Sequence, residues 1–202
     1  MPLQNRVDPY GEICFSAQRG TLMGNRGRLH NDQREIVRNH LGKRWIICLL
    51  EFNGRHQELM RPGRWTELFF LDEATALAAG HRPCAQCQYQ RFKEFLKCWK
   101  AGNQQQDIDL QGLDDILHGE RTGKNAPLSH LRDLPEGVFI EYKNQPFLFH
   151  NGRLWAWSFA GYQAAQAIPT DTEVKTLTPY SIIRAIKAGF QPGVHPSIGV
   201  RG

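Results

Sequence analysis

The sequence predicts an α+β protein, and three observations carry that prediction. Short apolar runs bounded by turn residues gather towards both ends of the chain. Helical patterns with clear stop signals fill the middle. The strands do not alternate with helices as they would in a parallel α/β fold. The expected order is an N-terminal hairpin and short strand, central helices, then C-terminal antiparallel strands with a final helix. A chain of 202 residues is long enough for one integrated domain over 1–202, with candidate subdomains at 1–122 and 135–202. Hydrophobic residues make up 41% and charged residues 22%, the balance of a folded protein rather than a disordered one. No apolar run approaches the roughly 20 residues of a membrane helix. The start, "MPLQNRVDPYGEICF", lacks the basic and apolar blocks of a signal peptide, so a cytoplasmic protein is expected.

Taken in order, residues 16–31 read as a Gly- and Arg-rich loop with no period of either kind. It has the glycines of a phosphate-binding loop without the Lys-Ser/Thr pair. Asn31 is placed to cap a short helix from Asp32 to about Leu41, which Gly42 would stop. "RWIICLLEFNGRHQELM" reads as a hairpin turning at Asn53-Gly54, the dipeptide that suits a two-residue type I′ turn. That register sets Cys48 opposite Leu59 and Glu51 opposite His56, on opposite faces, and so assigns Cys48 to the core. "TELFF" is a strand. Asp72 then caps a helix, "EATALAAG", that Gly80 stops, and a second helix is expected from Pro83 to about Lys100. A third helix is expected near Leu110–Arg121, and a turn-rich link follows. "GVFIEY", "PFLFH", "RLWAWSF" and "EVKTLT" are strands, with a loop after Gly161. Thr178 caps and Pro179 opens a last helix before a Pro/Gly-rich tail without regular structure. "TALAAGHRPC" and "RAIKAGFQPG" echo each other, as helix stops followed by proline commonly do.

The five cysteines are too few and too irregular for a secreted disulfide framework; only Cys84 and Cys87 are spaced for chemistry. A C-x2-C pair at a helix start would point both sulfurs one way as thiolates, half of a tetrahedral zinc site. A thioredoxin-like redox pair would need a strand just before it, where this sequence predicts a helix and a glycine stop. Isolated buried thiols are the plain alternative.

"FFLDEATALAAGHRPCAQC", residues 69–87, resembles the second half of the zinc-binding module of the Ada alkylation-repair proteins, a module also found appended to bacterial nucleases. The resemblance implies a zinc-ligand role for Cys84 and Cys87, with zinc as the cofactor. His81 stands where the family has an aromatic residue. The family's remaining ligands are two upstream cysteines, which residues 52–60 lack here, so His81, His30 and His56 become the candidates for the missing positions. The methyl-accepting cysteine has no counterpart, and that activity is not expected. Over its whole length, through "RGTLMGNRG", "TELFFLDEATALAAGHRPC" and "GVHPS", the chain is similar to a family of bacterial proteins without an assigned activity.

Charge supplies the remaining functional signal. Residues 1–65 carry eleven Lys/Arg against six Asp/Glu, and every cation but Lys43 is arginine, the side chain best shaped for phosphate. Arg19, Arg26, Arg28, Arg34, Arg38, Lys43 and Arg44 are therefore candidate contacts to DNA or RNA; solvated surface charge is the bland alternative. His30 with Asp32 is a conceivable general-base pair, and His118 shares a helix face with Asp114, although a helix cap and a surface ion pair look the same. Trp155, Trp157 and Phe159 share a strand face that suits a core better than stacked bases. Three readings follow: a nucleic-acid-associated protein with a small zinc site, an enzyme using His30 on a phosphorylated substrate, and a metal-free interaction protein.

Overall fold

The computed structural model describes residues 1–54, 58–123 and 128–199, and its strands form two six-stranded sheets. The first holds β1 (Gln4–Val7), β2 (Ile13–Phe15), β3 (Leu22–Asn25), β4 (Ile46–Cys48), β5 (Leu68–Phe70) and β6 (Arg82–Pro83), in the order β2-β1-β5-β3-β4-β6. It is mixed: β1 runs parallel to β5 and β4 parallel to β6. The second holds β7 (Leu128–His130), β8 (Phe139–Tyr142), β9 (Gln145–His150), β10 (Arg153–Ser158), β11 (Gly161–Gln166) and β12 (Glu173–Thr176). Its order is β11-β10-β9-β8-β12-β7, antiparallel throughout. Helices α1 (Glu73–Ala78), α2 (Tyr89–Asn103), α3 (Leu110–Thr122) and α4 (Tyr180–Lys187) complete an α+β fold.

The second sheet follows the expected pattern because its turns are written locally. Lys143 and Asn144 have φ of 51° and 59°, and Asn151 and Gly152 have 50° and 65°, the backbone a tight hairpin demands. The segment expected as a loop after Gly161 is β11, which pairs with β10 across an irregularity between Trp155 and Trp157. Leu154 is fully buried, while Trp155 and Trp157 are half-buried against a small core that includes Ala74, Ala78 and Leu148, and the Trp157 indole N–H donates to Thr75 Oγ1 of α1 at 3.1 Å.

Helix α1 begins and ends where its sequence says. Asp72 accepts from the Thr75 N–H at 2.8 Å, and Gly80 takes a left-handed φ of 79°. All six residues of α1 are buried, which explains its alanines: small side chains let neighbours close in on every side. The tail has no regular structure but is fastened to the start of α1. Gly193 N–H donates to Glu73 and His195 N–H to Asp72, both at 2.8 Å, and the Tyr162 hydroxyl adds a 2.6 Å bond to Asp72.

Five expectations are corrected. Residues 16–31 contain β3, a central strand whose two apolar residues and one glycine show no alternation. No helix covers residues 32–41; Asn31 caps a tight turn instead, accepting from Gln33 N–H at 3.1 Å and Glu35 N–H at 2.9 Å, and Arg34 has φ 64°. The Asn53-Gly54 turn has φ of 53° and 64°, but β4 pairs with β3 and β6 and not with the segment that holds Leu59; residues 55–57 of the expected return strand lie outside the described residues. Helix α2 starts at Tyr89, six residues after Pro83, and the Cys84–Cys87 pair sits on the turn before it. At α4 the N-cap is Pro179, because the Thr178 hydroxyl accepts from Phe139 N–H at 2.9 Å.

Helices α2 and α4 cross at Gly102. A Cβ on Gly102 would stand 2.2 Å from the Arg184 carbonyl oxygen, so no side chain fits there. Gly102→Ala is expected to destabilise the protein by about 1–3 kcal/mol, the usual cost of forcing atoms into a packed contact. Urea denaturation reads this as a lower midpoint at unchanged slope.

Candidate metal centre

The centre is made by the parallel pairing of β4 with β6. Ile46 lies beside Arg82 and Ile47 beside Pro83, so Cys48 and Cys84 leave their strands side by side. The Cys84 N–H donates to Ile47 O at 2.9 Å and holds the two ends together. After Cys84 the chain turns tightly, with Gln88 N–H returning to Cys84 O at 3.2 Å, and this brings Cys87 back towards Cys84. The Gln88 side chain reaches Ile47 O at 2.9 Å and ties the turn to β4. As a result the Cys48, Cys84 and Cys87 sulfurs all lie within 4.8 Å of one another. Sulfurs bound to one tetrahedral zinc at ~2.3 Å sit about 3.8 Å apart, so the cluster is already near ligating size.

Beneath the cluster, β6 is held by a buried ion pair. Arg82 donates from Nε and Nη2 to the two Asp114 carboxylate oxygens at 2.7 and 2.8 Å. The two side chains are 1% and 9% exposed, so the pair is desolvated and its geometry fixed by α3.

The thiols are electrostatically unequal. A hydrogen bond from Cys48, together with Cys87 and Gln86 backbone N–H groups, pulls the Cys84 thiol down to about 5. The Gln86 N–H lies 3.4 Å from the Cys84 sulfur. Its hydrogen bond to Cys84, then burial, pushes Cys48 up; burial pushes Cys87 up against a backbone hydrogen bond from Leu49. The site therefore holds one ready thiolate beside two thiols whose protons a cation would displace.

A groove of about 680 Å³ reaches the three sulfurs. Leu50, Phe52 and Trp65 give it apolar walls, and Arg44 and Glu51 add charge. Three protein sulfurs leave one tetrahedral position for a further donor, and this groove is the space beside it.

The expected ligands divide sharply. Cys84 and Cys87 are in the cluster. Cys48, expected in the core opposite Leu59, is its third member; that expectation rested on a hairpin the fold does not make. His30 is 4% exposed, and its Nδ1 and Nε2 are engaged by Thr66 Oγ1 at 2.6 Å and Arg61 O at 3.0 Å. It is a structural histidine with no ring nitrogen left for a metal or a proton transfer, and Asp32 lies exposed without a bond to it. His81 is fully buried, packed on Phe70 and Trp45 at 4.7 and 5.3 Å between ring centroids, and belongs to the core. His56 lies outside the described residues. Asp114 does not pair with His118, because both its oxygens serve Arg82; His118 meets the His40 ring edge-to-face instead, at 4.9 Å between centroids.

The basic set also divides. Arg19, Arg28, Arg38 and Arg44 are exposed, Arg34 pairs with Glu58 and Lys43 with Asp115, whereas Arg26 is 2% exposed and lies inside the fold. Among the described residues no helix is long and apolar enough to cross a membrane. The chain matches no protein-family model, no curated protein and no solved structure, so the three-cysteine cluster itself carries the functional argument.

Proposed function

We propose that the protein binds zinc through Cys48, Cys84 and Cys87, and that the metal fastens β4 to the turn before α2. The observation that carries this reading is the convergence of three sulfurs within 4.8 Å at the end of two paired strands. A soft, all-thiolate donor set favours zinc over magnesium, calcium or manganese, which prefer oxygen. The resemblance of residues 69–87 to an alkylation-repair zinc module supports the same metal. Bound zinc would supply a fixed cation with one position turned to the groove, and the chain's own groups, Arg44 and Glu51 among them, would select what approaches it.

Elemental analysis of protein purified without chelator is expected to find about one zinc per chain, the stoichiometry of a single tetrahedral site. Cys87→Ser should lower it, while Cys14→Ser and Cys98→Ser, both outside the cluster, should not. Zinc at a few hundredths of an equivalent in the unaltered chain ends the reading.

Association with nucleic acid is the second element of the proposal. It is supported by exposed Arg19, Arg28, Arg38 and Arg44, with Arg44 on the wall of the same groove. Binding to a single-stranded oligonucleotide is expected to weaken linearly in log-log salt plots, with Arg44→Ala and Arg38→Ala each reducing the slope by about 1. No affinity at low salt removes this element and leaves the zinc site standing.

A further inference from the structure

A second cavity, of about 750 Å³, shares no lining residue with the groove at the thiols. It is lined by Arg26, just after β3, and Trp45, just before β4, together with β12 and Arg121 of α3. Two guanidinium groups meet there over one indole: Arg26 lies 4.1 Å and Arg121 4.0 Å from the Trp45 ring centroid. Arg26 is almost wholly buried, yet among the described residues it makes one hydrogen bond, from Nε to His81 Nε2 at 3.3 Å, and its Nη2 has no partner. Arg121 gives its two terminal nitrogens to the Gly80 and Lys43 carbonyls and leaves Nε without a partner.

Neither guanidinium is bonded to a carboxylate among the described residues. Glu12 and Asp8 act on Arg26 only through space. Glu120, also at the cavity, spends its two oxygens on the Ser181 N–H at 3.0 Å and O–H at 2.6 Å. A buried cation without a counter-charge is costly, and an anion that arrives to pair with it removes that cost. By contrast Arg82, equally buried, is fully paired with Asp114. Burial pulls Arg26 and Arg121 each down to about 9; the Arg26 charge adds to the lowering at Arg121, and the more distant Glu12 and Asp8 offset only part of it at Arg26.

The geometry points to a ligand site: we propose that this cavity binds a small phosphorylated molecule, with its phosphate on Arg26 and Arg121. Two guanidinium charges line one space, with Arg26 Nη2 and Arg121 Nε left to donate, and this double charge suits a phosphate dianion better than a single carboxylate. Lys175, whose ammonium lies 3.5 Å from a Glu141 oxygen, lines the same cavity and adds a further cation to it. The volume is in the range of small-molecule sites and larger than a bare oxyanion needs, so the phosphate is an ester carrying an organic body.

The test is calorimetric titration and thermal melting of the full chain with ribose 5-phosphate, adenosine 5′-monophosphate, inorganic phosphate and succinate, and with ribose and adenosine as unphosphorylated counterparts. At least one ester is expected to bind saturably, one per chain, and to raise the melting temperature. Its unphosphorylated counterpart should do neither, and succinate should bind at least tenfold more weakly. Arg26→Met should weaken the ester by about tenfold or more, the loss of a charge-assisted pair. Because Arg26 is buried, Lys175→Ala supplies an exposed second variant that should weaken it several-fold without lowering stability. The proposal is overturned if neither ester binds, if succinate binds as tightly, or if the affinity survives Lys175→Ala and every folded Arg26 variant.

Discussion

Asp114→Ala is expected to cost about 3–5 kcal/mol of stability, because it strands the Arg82 guanidinium as a buried charge without a partner. Both carboxylate oxygens are bound to Arg82, and the pair is closed off by β6, α3 and Phe92, whose ring lies 5.3 Å from the guanidinium. For a chain of this size each kcal/mol is worth roughly 2–4 °C, so the melting temperature should fall by about 6–20 °C. The double variant Arg82→Met, Asp114→Leu should recover most of the loss, since the cost comes from one unpaired charge and not from missing attraction. An Asp114→Ala protein within about 1 kcal/mol of the original would mean that Arg82 finds water or another partner, against the burial seen here.

Cys48→Ser is the second large effect. Serine keeps the shape but offers a poor ligand to a soft metal, so two sulfurs remain where three converge. Zinc that binds the folded chain alone stabilises it by about 2.7 kcal/mol when free metal exceeds the dissociation constant a hundredfold. That increment should vanish in Cys48→Ser, and chelator should lower the melting temperature of the unaltered chain but not of the variant. If chelator shifts both equally, the metal acts elsewhere. A matching loss in Cys84→Ser, with Cys98→Ser unaffected, would place the effect at the cluster.

The sequence made some of this plain and concealed the rest for physical reasons. Local signals were legible: the Asp72 cap, the Gly80 stop, the turns at Asn144 and Gly152, and most of the second sheet, where each strand's neighbour is next in the chain for β8, β9, β10 and β11. The first sheet was hidden because its pairings are distant. β4 lies between β3 and β6, more than thirty residues apart from the latter along the chain, and β6 is only two residues long.

The Asn53-Gly54 turn has the backbone its sequence demands, yet it does not fold β4 back on the following segment. That one misplaced hairpin put Cys48 opposite Leu59 and sent the search for ligands to histidines. The visible clue was that Ile46-Ile47-Cys48 and Arg82-Pro83-Cys84 are both short extended segments ending in cysteine, which parallel pairing aligns. The Arg26 cavity had no comparable clue. Arginine in a Gly-rich loop reads as surface, and only three-dimensional packing against Trp45 and His81 places it inside.

The central claim is a zinc held by three cysteine sulfurs, and X-ray absorption at the zinc edge tests it most directly. The protein is expected to show three sulfur neighbours at about 2.3 Å and one lighter atom at about 2.0–2.2 Å. Cys48→Ser should reduce the sulfur count or abolish the signal. A zinc surrounded only by nitrogen and oxygen, or a sulfur shell that Cys48→Ser leaves unchanged, would contradict the account.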